Sequence, residues 1–442
     1  MAHTRAFPGG IHPKLPGRGK SATKSQPIRN AKAPARVVVA LQQHIGEPCT
    51  PIVAPGDVVD MGQMIGRVEA GIGAPIHAPV SGRVVALDTC LLPNGRNAMA
   101  VVIDNDHAER WHPSCVPHEN VDALTPDQLR AIVRDAGIVG LGGATFPTHI
   151  KLSPPEGKHI DTVILNGAEC ESYITVDHRT MLEDPHAVVD GLELVKRILG
   201  AERAIIGIEG NMVDVIPVVQ GAAHGKVDVI TLPVMYPQGG EKQLIYGVTG
   251  RVVPAGKLPM DVGTLVINVS TAAAISHAVR EGKPLIDRVI TISGRVRNPS
   301  NLRARIGTTL VDLFDECGGL LEGVEKVVLG GPMMGVALHR LDTGVTKGAD
   351  GLIALGAEAV MPVESACIRC GRCVTDCPMQ LIPNKIDAAS RSSQWDAAER
   401  FGVRVCIECG ICSYVCPAKR AVTQSCRTAK AALYARDAAP KQ

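Results

Sequence analysis

The residues best suited to carry chemistry in this sequence are its cysteines. Eight of the 14 cysteines fall in two runs of the same form, in which three cysteines spaced two residues apart are followed by a fourth and a proline. The runs are Cys367-x2-Cys370-x2-Cys373-x3-Cys377-Pro378 and Cys406-x2-Cys409-x2-Cys412-x3-Cys416-Pro417. This spacing is typical of chains that hold two [4Fe–4S] clusters, because closely spaced thiolates wrap one face of a cubane. The sequence therefore predicts a pair of electron-carrying clusters.

The fourth cysteine of each run is predicted to bind the cluster of the other run, as this spacing does in two-cluster proteins. The predicted ligands of the first cluster are Cys367, Cys370, Cys373 and Cys416, and those of the second are Cys406, Cys409, Cys412 and Cys377. Disulfide bonds would suit a secreted chain, and zinc sites use two CxxC pairs, so both alternatives fit less well. The six scattered cysteines are predicted to be small buried apolar residues: Cys49, Cys90, Cys115, Cys170, Cys317 and Cys426.

Clusters of this kind move one electron at a time, so a two-electron donor such as NADH requires a converter. A flavin is the usual converter, because it accepts a hydride and releases electrons singly. The best candidate for its phosphate site is the segment 140–151, in which Gly140, Gly142 and Gly143 expose backbone N–H groups and Lys151 adds positive charge. The segment follows a predicted helix, unlike the ordinary dinucleotide fingerprint, and by spacing alone a plain surface turn is an equal alternative.

Two further segments place polar residues where α/β proteins hold ligands. Asn166, Glu169 and Glu171 follow a predicted strand at residues 162–166, and ligand residues gather at the carboxyl ends of such strands. A second glycine-rich turn and a residue after another short apolar strand complete the set: Gly239, Gly240, Glu241, Lys242 and Asn268. The alternative for Glu169 and Glu171 is a solvated loop. Together with the glycine segment, these residues form the predicted cofactor site.

Composition argues against several other classes of protein. The 442 residues include 46 basic and 44 acidic side chains, and this near balance gives no case for nucleic-acid binding. Residues 1–35 lack the apolar core of a secretory signal. The uncharged run 262–279 contains Asn268, Ser270 and His277, so it is not predicted to cross a membrane. We expect a soluble cytoplasmic chain that reaches the membrane only through partners.

The sequence resembles one known family over nearly its whole length. The segments 142–151, 166–175 and 236–244, the double cysteine run and the opening motif Phe7–Pro13 look like the RnfC subunits of Rnf complexes, which are ion-translocating ferredoxin:NAD oxidoreductases. The central part also resembles the flavin-binding NADH dehydrogenase subunit of respiratory complex I. Three positions depart from the family pattern, because they replace a usual glycine or proline: Thr145, His149 and Ser172.

The resemblance implies FMN on the glycine segment and NADH beside it. It implies phosphate near Gly140, Gly142, Gly143 and Lys151. It implies isoalloxazine and ribityl contacts from Asn166 and Glu169, with Asn268 lining the flavin. It also implies contacts with the nicotinamide side near Phe146, Glu171 and Glu241. No side chain is expected to act as acid or base, because the redox chemistry belongs to the cofactors.

The elements and the resemblance together predict a multidomain fold that combines α+β and α/β parts. After a lead-in at residues 1–35, we expect a β-rich, lipoyl-like barrel-sandwich domain at 36–115, which has no carrier lysine. An α/β, Rossmann-like FMN and NADH domain is expected at 120–262, and a β-grasp domain of the SLBB type at 263–345. A helical ferredoxin-type domain with two [4Fe–4S] clusters is expected at 360–435.

The leading hypothesis is a peripheral subunit of a membrane Rnf complex, on the cytoplasmic face of the bacterial plasma membrane. It would exchange hydride between NADH and FMN and pass single electrons through the clusters to a ferredoxin-like partner subunit, while other subunits transport ions. One alternative is a soluble cobalamin reductase of the microcompartment type, which shares the flavin and cluster domains. The other is a non-enzymatic cluster relay or scaffold, and flavin content would distinguish it.

Overall fold

The lead-in of the chain is not a separate tail. The computed structural model describes residues 4–14, 16–360 and 362–438; residues 1–3 and 15 of the predicted lead-in lie outside this part. The lead-in contains a 3-10 helix at Pro16–Ala22 and strand β1 (Ile28–Asn30). Ile28 of β1 pairs in parallel with Asn301, far along the chain. The lead-in is therefore built into a sheet of a later domain.

A β-rich unit follows, as predicted. Its strands are β2 (Arg36–Ala40), β3 (Thr50–Pro51), β4 (Val58–Val59), β5 (Met64–Arg67), β6 (Ile76–His77), β7 (Gly82–Leu91) and β8 (Asn97–Asn105). They form one antiparallel sheet in the order β2-β8-β7-β4 and a second in the order β3-β5-β6. Alternate residues such as Val37, Val39, Val101 and Ile103 are buried between them, as the two-residue period of a strand requires.

The next unit alternates helices with the strands β9 (Thr162–Gly167), β10 (Arg203–Glu209), β11 (Asp228–Leu232) and β12 (Thr264–Asn268). Its helices are α1 (Pro126–Asp135), α2 (Thr148–Lys151), α3 (Val176–Glu183), α4 (Pro185–Leu199), α5 (Val215–Ala223), α6 (Glu241–Thr249) and α7 (Val269–Glu281), with 3-10 turns at Val121–Ala123 and Pro259–Val262. The sheet is parallel in the order β11-β10-β9-β12. Helix α1 begins at a capping box, in which Thr125 accepts the N–H of Gln128.

The predicted boundary at residue 262 divides this parallel sheet and is corrected. Leu265 of β12 pairs with Val163 of β9, and helix α7 packs in the same core through Ala272 and Ile275. A short apolar strand such as β12 needs a neighbour to satisfy its backbone, and β9 provides one. We therefore propose that the α/β domain continues through α7.

The third sheet is mixed and has six strands. Its further elements are β13 (Asp287–Gly294), β14 (Ser300–Arg305), α8 (Leu310–Glu316), β15 (Lys326–Leu329), β16 (Val336–Leu338) and β17 (Gly351–Leu355). The strand order is β1-β14-β13-β17-β15-β16. The predicted end of this domain at residue 345 falls before β17, which is a fully buried central strand. We therefore propose that the domain includes β17, because the sheet is not continuous without it.

The C-terminal domain is helical, as predicted. It follows a 3-10 turn at Ala357–Ala359 and contains α9 (Arg372–Thr375), α10 (Pro383–Arg391), α11 (Trp395–Arg400), α12 (Ile411–Tyr414) and α13 (Val422–Ala438), with a 3-10 turn at Val403–Val405. Helices α9 and α12 begin inside the cysteine runs, after Gly371 and Gly410 in the left-handed conformation. Helices α10 and α13 pack on each other through Ile386, Ala429 and other apolar residues.

Candidate functional site

The eight cysteines of the two runs line two separate cavities in the C-terminal domain. One cavity is lined by Cys367, Cys370, Cys373 and Cys416. The other is lined by Cys377, Cys406, Cys409 and Cys412. Each has an empty volume of about 390 Å³, part of it open to solvent. The structure therefore brings together the two groups of four that the spacing predicts, and cluster binding by these groups stays a prediction. We call these the first and the second cysteine cavity.

Backbone N–H groups point at several of the cysteine sulfurs. Three such hydrogen bonds, 3.4–3.5 Å long, run from the backbone of Leu381 to Cys377, of Glu408 to Cys406 and of Arg420 to Cys416. Hydrogen bonds of this kind stabilise negative charge on sulfur and are a recognised feature of iron–sulfur ligation. The cysteine loops thus offer both the sulfurs and the donors that a cluster needs.

Two of the cavity thiols have a raised pKa, which bears on metal binding. Burial raises the pKa of the Cys409 thiol to about 12 and that of Cys373 to about 11. These sulfurs therefore stay protonated unless positive charge lies beside them, and a bound metal displaces such protons. Across the described residues, no group of three or more His, Cys, Asp or Glu side chains is placed to hold a single metal ion. The four cysteines of each cavity match the four thiolate ligands of a [4Fe–4S] cluster.

The glycine segment forms an exposed turn over the start of α7. The N–H of Gly140 donates to Phe146 O at 2.9 Å, which closes the turn. Gly142 and Gly143 at its tip are exposed, and Gly143 has φ +101° with open space around it. A Cβ on Gly142 would lie 3.4 Å from Cβ of Asn268. The backbone of the turn is therefore accessible to a phosphate, directly above Asn268.

The carboxyl end of β9 meets the second glycine-rich turn. Asn166 Nδ2 donates to Gly239 O at 2.9 Å. The backbone of Gly239 lies so close to Ala168 that any side chain would collide with its carbonyl oxygen. Gly240 then caps helix α6, of which Glu241 is the first residue. The structure thus brings together Asn166, Gly239 and Gly240 from two distant segments, as predicted for the site.

The two lysines of the predicted site point in different directions. Lys151 Nζ forms an ion pair with Glu241 Oε1 at 2.8 Å, and both side chains are partly exposed. Lys242 Nζ donates instead to Pro254 O at 3.3 Å. The structure thus places Lys151 beside Glu241 at the start of α6, and its contact with a phosphate at the glycine turn stays a prediction. This arrangement of exposed glycines, amides and one ammonium group fits the polar half of FMN.

Glu169 is buried and connects two distant parts of the chain. Its Oε1 accepts the N–H of Asp177 at 2.8 Å, at the start of α3. Lys20 Nζ donates to Glu169 O at 2.5 Å and lies 3.4 Å from Oε2. Burial raises the pKa of Glu169 to about 8, although the ammonium group of Lys20 opposes the rise. The solvated-loop alternative is therefore wrong for Glu169, while its contact with a flavin stays a prediction.

Glu171 holds a loop of the six-stranded sheet. Its Oε1 accepts the N–H of Met334 at 2.8 Å and its Oε2 accepts the N–H of Met333 at 3.2 Å. Burial raises the pKa of Glu171 to about 7, although these two N–H groups oppose the rise. Both carboxylate oxygens are thus engaged by backbone donors. The sequence did not predict this structural role, and the nicotinamide contact of Glu171 stays a prediction.

A cluster of buried apolar side chains joins the second glycine-rich turn to the second cysteine cavity. Tyr236 is 0% exposed, and its hydroxyl donates to Cys409 O at 2.7 Å. Cys170, Cys409 and Ile411 pack around the same tyrosine. Tyr236 also begins the turn that carries Gly239, so one residue contacts both regions. The second cysteine cavity therefore lies beside the predicted flavin site.

Family models match four consecutive parts of the chain. They are the RnfC barrel sandwich hybrid domain at residues 5–108, the Nuo51 FMN-binding domain at 133–277, the SLBB domain at 289–337 and the 4Fe-4S dicluster domain at 366–421. These matches confirm the predicted fold class, including its barrel-sandwich, α/β and β-grasp parts. The dicluster match spans all eight cysteines that line the two cavities.

Curated relatives, all RnfC subunits, match most of the chain. It is 44% identical to the RnfC subunit of the proton-translocating ferredoxin:NAD(+) oxidoreductase complex of Clostridium ljungdahlii, over 89% of this chain and 86% of that protein. It is 43% identical to the RnfC subunit of the Na(+)-translocating ferredoxin:NAD(+) oxidoreductase complex of Acetobacterium woodii, over 96% of each. The chain belongs to the RnfC family. A third member, from Rhodobacter capsulatus, is 38% identical to it over 89% of this chain and 77% of that protein.

The fold of this RnfC family member also occurs in a solved enzyme. The crystal structure of an NAD+-reducing [NiFe]-hydrogenase in the air-oxidized state matches it with a TM-score of 0.52, over 74% of this chain and 69% of that one. The two sequences are 18% identical, so this likeness concerns the fold alone. Within residues 4–438, apart from positions 15 and 361, no helix is long and apolar enough to span a membrane.

One buried arginine and two partly buried aspartates of this RnfC family member form a charged group near the glycine turn and were not predicted. Arg288 of β13 donates to Leu141 O at 3.0 Å. Asp177 Oδ2 accepts from Asn268 Nδ2 at 2.7 Å, which orients that amide under the turn. Burial raises the pKa of Asp350 to about 6, although Arg288 opposes the rise. No local pattern indicated this group, because β13 also contains Asp287, Thr291 and Ser293, so that Arg288 does not stand out.

A buried lysine joins the barrel-sandwich domain to the α/β domain. Lys347 is 0% exposed, and its Nζ donates to Pro75 O and Gly137 O, both at 2.7 Å. Burial lowers the pKa of Lys347 to about 7. Pro75 directly precedes β6 of the barrel-sandwich domain, and Gly137 lies just before the glycine turn. Lys347 therefore anchors this part of the barrel-sandwich domain to the domain that holds the turn.

Proposed function

We propose that this chain exchanges electrons between NADH and partner subunits of an ion-translocating complex, with FMN and two [4Fe–4S] clusters as its cofactors. When bound, the flavin would convert a hydride into single electrons, which iron–sulfur clusters carry one at a time. The names of the relatives, the FMN-binding family model and the dicluster family model support this proposal. The residues of the chain bind and orient these groups and supply no acid or base.

The cluster ligands are proposed from the two cysteine cavities. Cys367, Cys370, Cys373 and Cys416 would hold the first cluster, and Cys377, Cys406, Cys409 and Cys412 the second. The crossed arrangement places Cys377 and Cys416 on the side of the opposite run. It also keeps the two cavities within one small helical domain, which is what transfer between clusters requires.

The flavin ligands are proposed from the exposed turn above β9 and β12. The backbone of Gly140, Gly142 and Gly143 and the ammonium group of Lys151 would bind the phosphate, because such donors favour anions. The amides of Asn166 and Asn268 would face the ribityl chain and ring, supported by Glu169 and Asp177 beneath. Nicotinamide contacts are proposed for Phe146, Glu171 and Glu241, and Gly239, Gly240 and Lys242 are proposed to line the cofactor site beside them.

The contact between Tyr236 and Cys409 is the observation that carries the proposal. It joins the turn at Gly239 to the second cysteine cavity through one buried side chain. Electrons would therefore enter at the second cluster and leave from the first. Cys367 and Cys370 of the first cavity are exposed, and Ile368 between them is 65% exposed. This surface would receive a ferredoxin-like iron–sulfur partner.

The proposed location is peripheral, on the cytoplasmic face of the bacterial plasma membrane. The relatives are named as subunits of translocating complexes, so the chain would bind a membrane assembly through its partners. NADH and ferredoxin occur in the cytoplasm, which supports that face.

The test is to purify the chain without oxygen, load iron, sulfide and FMN, and add NADH. Bleaching of the flavin absorbance followed by EPR signals of reduced clusters is the expected result. A chain that carries the iron of both clusters but binds no flavin and does not respond to NADH would contradict the proposal. It would then be a cluster relay or scaffold.

A further inference from the structure

The two cluster sites are built on repeated segments, and one of the buried positions at which they differ holds an aspartate in the first segment and a cysteine in the second. Helix α10 follows the first cysteine run and lines the first cavity, and helix α13 follows the second run and lines the second cavity. Asp387 comes ten residues after Cys377, and Cys426 comes ten residues after Cys416. The two residues thus occupy corresponding positions, and each lines the cavity beside its helix.

Asp387 cannot donate a hydrogen bond to the first cluster. It is buried, and its carboxylate accepts from Ser425 Oγ at 2.6 Å, Arg420 Nε at 2.7 Å and Arg391 Nε at 2.8 Å. Burial acts to raise the pKa of Asp387, but these donors hold it below its usual value. The group is therefore an ionised acceptor whose oxygens are already engaged.

Cys426 offers a donor where Asp387 does not. It is 1% exposed and lines the second cavity with the four proposed ligands. It shares the lining of the second cavity with Cys406 and Cys412, and Cys406 packs against the apolar cluster that contains it. On the same face of α13, the hydroxyl of Thr423 lies 3.3 Å from Cys412 Sγ. The second cavity thus has a fifth cysteine, although its set of four ligands is complete without it.

We propose that Cys426 is a positioning residue that donates its S–H to the ligand sulfurs of the second cluster and raises the reduction potential of that cluster. The inference rests on the proposed function, since it requires the cluster. Reduction adds negative charge to the cluster and its sulfurs, and a donor to those sulfurs stabilises the reduced state. At the first cavity the corresponding residue is an acceptor, so two sites with identical cysteine spacing acquire different potentials.

The test compares Cys426→Ala with Cys426→Ser in the full-length chain loaded with iron, sulfide and FMN. Alanine removes the donor, whereas serine keeps a hydroxyl in nearly the same volume. Iron content is measured first, and each cluster is then titrated by EPR at controlled potentials. Reduction potential is the decisive readout, because a residue that only fills space would not shift it selectively.

We expect the potential of one cluster to fall in Cys426→Ala while that of the other is unchanged. The serine variant should remain close to the wild type. Unchanged potentials in an alanine variant that keeps all its iron would overturn the inference. Loss of about half the iron would also overturn it, because Cys426 would then be needed for assembly. A wild-type chain without two clusters would instead defeat the proposed function.

Discussion

Two lysines of the proposed flavin site provide a matched pair of residues. Lys151 pairs with Glu241 and is the proposed phosphate ligand, whereas Lys242 donates to Pro254 O. We expect Lys151→Ala to weaken FMN binding about tenfold to a hundredfold, because a hydrogen bond to a charged group contributes about 1.5–3 kcal/mol. Titration of the apo-flavin chain with FMN, followed by flavin fluorescence, measures this.

Lys242→Ala is the control for that experiment. It removes the same charge from a side chain that contacts Pro254 and not the glycine turn, so FMN binding should change by less than about threefold. Equal losses in the two variants would show that overall charge, and not the position of Lys151, governs binding.

The crossed ligand sets make a second prediction for single residues. Cys416 belongs to the second run but lines the first cavity. Cys416→Ala should therefore abolish the same EPR signal as Cys370→Ala, and Cys377→Ala the same signal as Cys409→Ala. Each variant should lose about half of the iron. The spectra of the four anaerobically loaded variants, compared in pairs, make the measurement.

Cys317→Ala serves as the control, because this buried cysteine lies in the core of the six-stranded sheet and lines neither cavity. It should keep both signals. If Cys416→Ala instead affected the signal that Cys409→Ala removes, each run would bind its own cluster and the crossed assignment would fail.

The cysteines could be predicted from sequence, whereas the supports of the flavin site could not. Cluster ligation is a local pattern, since the first three ligands of each run lie within seven residues. The partners of Glu169 and Glu171 lie far away in the chain, at Lys20 and Met333. No spacing rule relates such residues, because only the packing of whole domains brings them together.

At the scale of elements, the barrel-sandwich domain contains two buried histidines that make its stability depend on pH. Burial lowers the pKa of His44 to about 4 and that of His77 to about 3, from an ordinary value of 6.5. As the pH falls below 6.5, the unfolded state therefore binds more protons at these histidines than the folded state does. Between pH 7 and pH 5 each histidine should cost about 2 kcal/mol of local stability.

Hydrogen exchange can test this in strands β2 and β8. Their amide protection, corrected for the intrinsic exchange rate, should fall from pH 7 to pH 5 in the wild type. The fall should be much smaller in a chain with both His44→Gln and His77→Gln. The parallel strands β9 and β10, which contain no histidine, are the internal reference. Equal falls in wild type and double variant would contradict the assignment.

Most strands and helices could be predicted, but two domain boundaries could not. The strand predicted at residues 162–166 is present as β9, and α1 begins at its capping box, because apolar runs and caps are local signals. β12 and β17 are apolar strands that could have joined either neighbouring sheet. Pairing with β9 places β12 in the parallel sheet, and pairing with β13 and β15 places β17 in the six-stranded sheet. No local sequence pattern encodes these pairings.

At the scale of the whole molecule, the N-terminal segment connects the flavin site to the cluster domain. Ile11 and Tyr236 exchange two backbone hydrogen bonds: the N–H of each residue donates to the carbonyl oxygen of the other at 2.9 Å. A Cβ on Gly9, which has φ +73°, would lie 2.8 Å from the backbone of Cys377. The opening motif therefore packs against both the turn at Tyr236 and Cys377 of the second cysteine cavity. This packing helps to hold the proposed flavin site and the second cluster site in place relative to each other.

The most direct test of the account is to titrate NADH into loaded Cys409→Ala and Cys370→Ala chains and follow flavin absorbance and EPR together. In Cys370→Ala, which keeps the second cluster, NADH should bleach the flavin and reduce that cluster as in the wild type. In Cys409→Ala, the flavin should still bleach, but the first cluster should stay oxidised because its donor is missing. Reduction of the first cluster at the wild-type rate in Cys409→Ala would contradict the proposed route through the contact of Tyr236 with Cys409.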